Sequence, residues 1–360
     1  MNPKPLRVIQ WATGNVGIEA LAAIVESPAL ELAGLRVYGD HKVGRDAGEL
    51  LGREALGIVA TSDINDILAL EADCVCYTPL QYNLDDILAL LRSGKNVVTT
   101  SGLIYPKALA GGVFERLDAA CREGGVSFHG TGLNPGWIAE LLPVVASSMS
   151  RKVRSIHSLE VCDVSDYGSE QMFVDIMKYG RTPADFEADT VMVGHLGNVF
   201  RESIAMIAAA MDFTIDDVRH ERDFILADRD MQCAVGTIAK GTIAGQRHRF
   251  SGMKDGVARI QVETRWKVVR EDLGQDMPRD GECTWTITVE GQPSIRNVVS
   301  LAETFAVGHP DYESYSSRRG MISIAMHALN AVPAVCASEP GVRTFLDLPL
   351  FGGSIGAFAR

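Results

Sequence analysis

Residues 7–21 read RVIQWATGNVGIEAL. The largely apolar run Arg7 to Trp11 predicts a strand, and it gives way at once to Ala12-Thr13-Gly14-Asn15-Val16-Gly17. Beyond that turn, Val16, Ala20 and Ile24 fall on one face of a helix, which the Ser27-Pro28 pair ends because proline cannot continue it. A strand, a glycine turn and a helix at the start of a chain predict a βαβ unit, and the units that follow repeat it. Leu30 to Val37, Asp73 to Tyr77, Asn96 to Thr100 and Val126 to His129 read as strands. Helical patterns lie between them, one opened by Asn83, Asp85 and Asp86, one from Val113 to Arg122, and a last one from about Pro135. Alternation of this kind predicts a parallel sheet covered on both faces, an α/β Rossmann-type domain over residues 1–150.

The texture changes after about residue 150. RSIHSLEVCDVSD (154–166), VARIQVETRWKVV (257–269) and CTWTITVEG (283–291) alternate as antiparallel strands do. A helical run rich in alanine and methionine, Thr190 to Met211, lies between them. These features predict a second α+β domain over 151–317 with a largely antiparallel open sheet, suited to substrate binding and dimerisation. RRGMISIAMHALNAVPAV (318–335) is helical again, and residues 318–360 are expected to pack back on the first domain.

Composition narrows the functions available. At 360 residues, 46% hydrophobic and 22% charged, the chain has the make-up of a globular protein. A net charge of -12 argues against nucleic acid or an anionic membrane as partner, since both need basic patches. No apolar run approaches the roughly 20 residues of a membrane helix, and the start of the chain lacks a signal-peptide pattern. Seven cysteines without a CxxC pair fit a reducing compartment, with Cys74 and Cys76 on one face of a buried strand. A cytoplasmic protein with a small-molecule substrate is expected. No HExxH or Cys/His cluster appears, so no metal is expected, and no GxSxG nucleophile motif occurs.

The glycine turn is the centre of the functional reading. In a G-x-G-x-x-G fingerprint the glycines allow a tight turn, close approach of backbone to a pyrophosphate, and close packing of helix on strand. Ala12 replaces the first glycine here; Gly14 and Gly17 are kept. The turn follows a strand and opens a helix, the context in which the motif binds a dinucleotide; the alternative is a plain tight turn. The 2′ position of a dinucleotide is read at the end of strand two, here LRVYGDHKVGRD (35–46). Arg36 stands where an acid would read a free ribose, with His41, Lys42 and Arg45 close by. That favours a 2′-phosphate and hence NADP, with Arg36 and Lys42 as its readers. Asp40, which could turn toward a 2′-hydroxyl, speaks for NAD.

WATGNVG (11–17), VGRDAGELLG (43–52), VVTTSG (97–102), GTGLNPGW (130–137) and NAVPAVCASEPGVRTFLDLP (330–349) together resemble the dihydrodipicolinate reductase N-terminal superfamily. The layout is most similar to its amine-dehydrogenase branch, which includes 2,4-diaminopentanoate dehydrogenase. The resemblance implies that Ala12, Thr13, Gly14, Asn15, Val16 and Gly17 form the phosphate loop. It places Thr78 and Pro79 over the cofactor ribose, Thr99, Thr100 and Ser101 beside the nicotinamide, and Asn134, Pro135 and Gly136 as the floor next to it. The His-His and Lys motif of true dihydrodipicolinate reductases is absent, so dihydrodipicolinate is not the expected substrate. The resemblance also implies a glutamate just after the strand-four turn to handle ammonia. That turn reads TTSGLIYPKAL (99–109), with no acid between Thr99 and Lys107. Another carboxylate must then take the role, or ammonia is not used.

Candidates for proton transfer follow. Tyr105 comes after the strand-four turn, either at the reacting centre or in a pocket wall. EVCDVSDYGSEQMF (160–173) is the densest polar stretch of the second domain and offers Asp163, Asp166 and Glu170. A buried carboxylate there would serve as acid or ammonium anchor; the other reading is a solvated turn. His195 and His309 are further candidates, and Trp137 and Phe173 suit an apolar wall or plain packing. The expected function is hydride transfer between a nicotinamide and a small ketone, imine or amine carbon in an interdomain cleft, with NADPH preferred, in a homodimer. A ketone or C=N reductase without ammonia, and a non-catalytic dinucleotide-binding regulator, are the alternatives.

Overall fold

A computed structural model describes residues 4–268, 283–302, 308–310 and 318–353, with the side chains of 190–196 left out. The chain forms two compact units, one of residues 1–136 with 318–360 and one of 137–317.

The first unit is built on the opening βαβ. β1 (Leu6–Trp11) runs into α1 (Asn15–Glu26), and β2 (Leu30–Arg36) lies parallel to β1 with Trp11 opposite Arg36. α2 (Ala47–Leu50), β3 (Ala60–Thr61), α3 (Ile64–Ala69), β4 (Cys74–Tyr77), α4 (Leu84–Arg92), β5 (Asn96–Thr99), α5 (Val113–Gly124) and β6 (Ser127–Gly130) follow. The seven-stranded sheet has the order β15-β6-β5-β4-β1-β2-β3, where β15 is Gly341–Val342, and its strands are parallel throughout. β1 pairs with β2 on one side and β4 on the other, so the strand order reverses at β1. Ligands of such sheets bind beyond the carboxyl ends of the strands at that switch point.

Burial on both sheet faces explains why these strands are continuously apolar rather than alternating. Ile9, Trp11, Val75, Tyr77, Val97 and Phe128 pack on one side under α4 and α5. Val8, Cys74, Cys76 and Val98 pack on the other side with Ala20 and Ile24 of α1. The helix Arg319–Cys336, labelled α9, completes that layer through Ala325, Ala328, Leu329, Val332 and Val335. Asn83 caps α4 through Asp85 N and Asp86 N, at 3.0 and 3.3 Å.

The second unit holds α6 (Leu141–Ser147), β7 (Arg151–Asp163), α7 (Pro183–Ala188) and α8 (Thr190–Ala210). β8 (Asp217–Leu226), the ribbon of β9 (Met231–Cys233) and β10 (Gly236–Ile238), and β11 (Ile243–Lys254) come next. β12 (Val257–Lys267), β13 (Cys283–Gln292) and β14 (Ile295–Ser300) complete it. Six strands form a sheet of order β14-β13-β7-β12-β11-β8. All pairs are antiparallel except β7 with β12, a parallel pair that alternation along single strands does not reveal. The helix expected from Pro135 begins only at Leu141, because 134–140 turns through a Pro-Gly pair first.

One pairing departs from the sequence reading, which left the cysteines unpaired. Cys162 and Cys283, 121 residues apart, face each other across β7 and β13 and form a disulfide. Sequence spacing carries no sign of a bond made by strand register. The other five cysteines are free, and Cys74 and Cys76 lie buried on one strand face.

Candidate functional site

The turn between β1 and α1 has the geometry of a phosphate loop. Ala12, the residue in place of the first fingerprint glycine, sits at φ +77°, in the left-handed region that glycine occupies without strain. The conformation costs roughly 1–2 kcal/mol for an alanine, and surrounding contacts hold it. Its N–H donates to Arg36 O at 2.9 Å. Its carbonyl accepts from Gln10 Nε2 at 2.8 Å. Gln10 is fully buried, and the same Nε2 donates to Thr78 Oγ1 at 2.8 Å. Thr78 Oγ1 in turn donates to Trp11 O at 3.0 Å. The ends of β1 and β4 are thus clamped by one amide and one hydroxyl. Gln10 is invisible to motif reading, because a glutamine inside an apolar strand looks like an interruption.

Gly17 takes the packing role of the fingerprint. A Cβ there would meet Ala12 O at 2.2 Å and Thr78 Oγ1 at 2.8 Å, so α1 lies against β1 closer than any side chain permits. Gly14 is the opposite case. It caps α1 without a side-chain bond, at φ -73°, and a Cβ there would meet nothing within 4 Å. Open space therefore lies at the amino end of a twelve-residue helix whose first turn holds no acid. Free N–H groups and a positive dipole end in such a cradle fit a pyrophosphate. Lys42 Nζ donates to Thr13 O at 3.0 Å and to Thr13 Oγ1 at 3.1 Å, bracing the loop from the side.

Arg36, at the carboxyl end of β2, is stacked between aromatics. Its Cζ lies 4.0 Å from the Tyr38 ring centroid and 4.9 Å from that of Trp11. Trp11 Nε1 donates to Tyr38 OH at 3.0 Å, fixing the two rings around the guanidinium. Arg36 Nη1 reaches Val37 O at 3.3 Å, while Nε is buried without a hydrogen-bond partner. Asp40 begins a short 3-10 turn just beyond, with His41 beside Gly39.

The ends of β4, β5 and β6 converge next to this loop. Thr99 Oγ1 accepts from Ser101 N at 3.0 Å, and Ser101 Oγ donates to Pro79 O. Thr100 N donates to Tyr77 O at 3.2 Å, and Thr131 N to Thr99 O at 2.8 Å. The 132–136 turn folds on itself so closely that a Cβ on Gly136 would lie 2.2 Å from Gly132 N. Asn134 and Pro135 are partly buried within it. Tyr105 is half-buried at the start of Pro106–Ala108. Burial, then the Asp347 carboxylate, holds its phenol above the ordinary range, so it carries its proton at neutral pH.

Histidines around β6 were not anticipated. Thr131 Oγ1 lies 2.8 Å from His327 Nδ1 on α9, and His129 Nδ1 donates to Arg343 O at 2.8 Å. Burial pushes both imidazoles down to about 4, so they are neutral at pH 7. Their signal was faint, since a histidine one residue from the end of a strand and another on an apolar helix face have no motif spacing.

The polar stretch of the second unit resolves differently from its sequence reading. Asp163 ends β7 and its Oδ1 accepts from Ser165 N at 2.9 Å. Asp166 and Glu170 are exposed, which is the solvated-turn reading rather than the buried-acid one. The carboxylate of that stretch which the structure buries is Glu160. His309 is exposed, and the His195 side chain lies outside the described residues. Phe173 is buried in core, stacked on Tyr179 with centroids 4.5 Å apart. Among the described residues no group of three or more His, Cys, Asp or Glu is placed to hold a metal ion.

Comparison with known proteins gives the family and the fold. Residues 137–360 match the model of the 2,4-diaminopentanoate dehydrogenase C-terminal domain. An amine dehydrogenase of Streptomyces virginiae is 30% identical over 358 residues, covering 96% of both chains. The 2,4-diaminopentanoate dehydrogenase of Acetoanaerobium sticklandii is 26% identical, covering 95% of this chain and 94% of its own. The solved amine dehydrogenase of Mycobacterium smegmatis shares the fold at TM-score 0.79 and 19% identity, covering 98% of both chains. The chain belongs to the 2,4-diaminopentanoate dehydrogenase family and is an NAD(P)-dependent oxidoreductase of amine-dehydrogenase type.

Proposed function

We propose that the chain interconverts a small ketone and the corresponding primary amine, with ammonia as nitrogen source and NADPH as the preferred reductant. The observation that carries the reading is the β1–α1 turn, where left-handed Ala12, tightly packed Gly17 and open Gly14 reproduce a pyrophosphate seat in a relative of amine dehydrogenases. When bound, the nicotinamide supplies or receives the hydride. In this reading the backbone of Ala12, Thr13, Gly14, Asn15, Val16 and Gly17 binds the pyrophosphate, and Lys42 holds Thr13 in place for it. Arg36, over the rings of Trp11 and Tyr38, offers its guanidinium edge to the 2′-phosphate. Thr78 and Pro79 border the ribose; Thr100 and Ser101 border the nicotinamide, with Asn134, Pro135 and Gly136 beside them. Tyr105, protonated at neutral pH, is the proton donor to the reacting heteroatom. A homodimer, the commonest assembly among soluble oligomers in general, and a cytoplasmic location complete the proposal.

The test is NADPH consumption across a panel of small ketones, with and without ammonium. Turnover that requires ammonium is the expected result. Turnover undiminished in its absence would replace the proposal by simple carbonyl reduction. That second reading has one specific support, the lack of any acid between Thr99 and Lys107.

A further inference from the structure

The disulfide of the second unit is closed; the first unit holds two thiols placed to close another. Of the five free cysteines, Cys74, Cys76 and Cys336 meet in one apolar layer of that unit, where α9 covers the sheet. Cys74 opens β4 and Cys76 follows two residues on, so both point to the face under α9. Cys336 is the last residue of α9. Its Sγ donates to Asp73 O at 3.7 Å, the carbonyl joined directly to Cys74 N. The end of the helix is thus held at the start of β4, where the Cys336 thiol meets that of Cys74 as a hydrogen-bond partner. Cys76 lies one pleat further along the strand.

The two thiols differ in exposure, and that gives them different roles. Cys74 is fully buried, and burial, then the neighbouring Cys336 thiol, pushes it well above the ordinary thiol range. It stays protonated and out of reach of an oxidant in solution, as buried structural cysteines do. Cys336 is only half-buried, so a small oxidant reaches its sulfur. An accessible cysteine standing alone is carried on to sulfinic acid, whereas one with a second thiol beside it stops at the disulfide.

We propose that Cys74 and Cys336 form a peroxide-sensitive pair, in which Cys336 takes the oxidant and Cys74 resolves it as a disulfide between β4 and α9. Hydrogen peroxide transfers one oxygen to Cys336 Sγ: the O–O bond breaks, the sulfur is oxidised to a sulfenic acid, and water leaves. Cys74 Sγ then attacks that sulfur. The S–O bond breaks, the S–S bond forms, and hydroxide leaves with the Cys74 proton as a second water. Two thiols and one peroxide thus give one disulfide and two waters, and a dithiol reductant reverses the change. Nothing in this depends on which substrate the enzyme takes.

The full chain is treated with a small excess of hydrogen peroxide, free thiols are blocked under denaturing conditions, and the unreduced peptides are read by mass spectrometry. A Cys74 peptide joined to a Cys336 peptide is expected, at a yield independent of protein concentration, with both thiols regained on adding dithiothreitol. Cys336→Ser, a small change at a half-buried site, should leave Cys74 a free thiol under the same treatment. Cys74→Ala removes the resolving thiol, so dimedone should trap Cys336 as a sulfenic acid at least about tenfold more than in the wild type. The first two measurements stand by themselves should that buried substitution prevent folding. Absence of the linked peptide, whether Cys336 is left reduced or driven to sulfinic acid, would overturn the proposal. So would oxidation of Cys74 to the same extent in Cys336→Ser as in the wild type.

Discussion

Gly14 and Gly17 are three residues apart in one turn, and the structure assigns them opposite consequences. Gly17→Ala would put a methyl group 2.2 Å from Ala12 O, well inside ordinary contact distance. Both neighbours it meets, the Ala12 backbone and the Thr78 hydroxyl, belong to the clamp at the strand ends. Neither is the free end of a flexible side chain, so α1 must lift off β1. Overpacking of this kind typically costs 1–3 kcal/mol, and backbone contacts place this case at about 3 kcal/mol. A loss of that size lowers the melting temperature by about 6–12 °C in a unit of this length. Gly14→Ala meets nothing within 4 Å, and its φ of -73° suits an alanine. Its effect on stability is expected within about 0.5–1 kcal/mol, because the unfolded chain loses freedom while alanine is a poorer N-cap than glycine, and the two offset. Its methyl would stand where the phosphates approach the helix. Losing one charge-assisted hydrogen bond there costs about 2 kcal/mol, or roughly 30-fold in Kd. Thermal melts and NADPH fluorescence titrations of both variants decide the matter. If Gly14→Ala binds NADPH like the wild type, the open space above α1 is not the pyrophosphate seat and the reasoning fails.

Other outcomes follow from the same structure. Ala12→Gly removes a left-handed strain of roughly 1–2 kcal/mol and adds unfolded-state freedom worth about 0.4–1 kcal/mol, so a rise of about 0.5–1 kcal/mol in stability is expected by denaturant titration. A fall would mean that the alanine methyl packs usefully. Arg36→Ala should weaken NADPH by about tenfold or more and NADH little, read as two Kd values; equal losses would end the 2′-phosphate assignment. Acid should weaken the fold between pH 6.5 and about 4. Burial lowers the pKa of His129 to about 4, so the unfolded chain binds a proton in that window and the folded one does not. Stability is therefore complete above 6.5 and lost as pH falls, by about 2 kcal/mol at pH 5 for His129 alone. His327 and His248, lowered to about 4 and about 3 mainly by burial, act in the same direction. Glu263 adds to the loss only at the bottom of that window, where the unfolded carboxylate begins to take up a proton while His157, Arg249 and Arg265 outweigh burial and keep the folded one ionised. Urea midpoints that do not move between pH 7 and pH 5 would contradict this.

The parallel sheet was legible because burial on both faces leaves long apolar runs with glycine and proline punctuation at their ends. The phosphate loop was legible because its glycines answer to local sterics. What escaped the sequence depends on register between distant strands. The Cys162–Cys283 bond and the pairing of Glu160 on β7 with Trp285 on β13 and Thr264 on β12 join residues more than a hundred positions apart, and no local spacing encodes them. The polar stretch 160–173 was read as one object, yet β7 buries its first carboxylate and the turn after it exposes Asp166 and Glu170. Lys42 was placed near the cofactor's 2′ end by position alone; its ammonium is directed at Thr13 instead.

The central claim is that hydride passes from the reduced nicotinamide to a carbon that ends up bearing nitrogen. NADPH deuterated at the transferable position, incubated with the protein, a ketone of the panel and ammonium, tests it directly by mass spectrometry of the products. The account predicts a primary amine carrying one deuterium on the nitrogen-bearing carbon. A deuterated alcohol as the sole labelled product, or no labelled product from any ketone while NADPH binds, would contradict it.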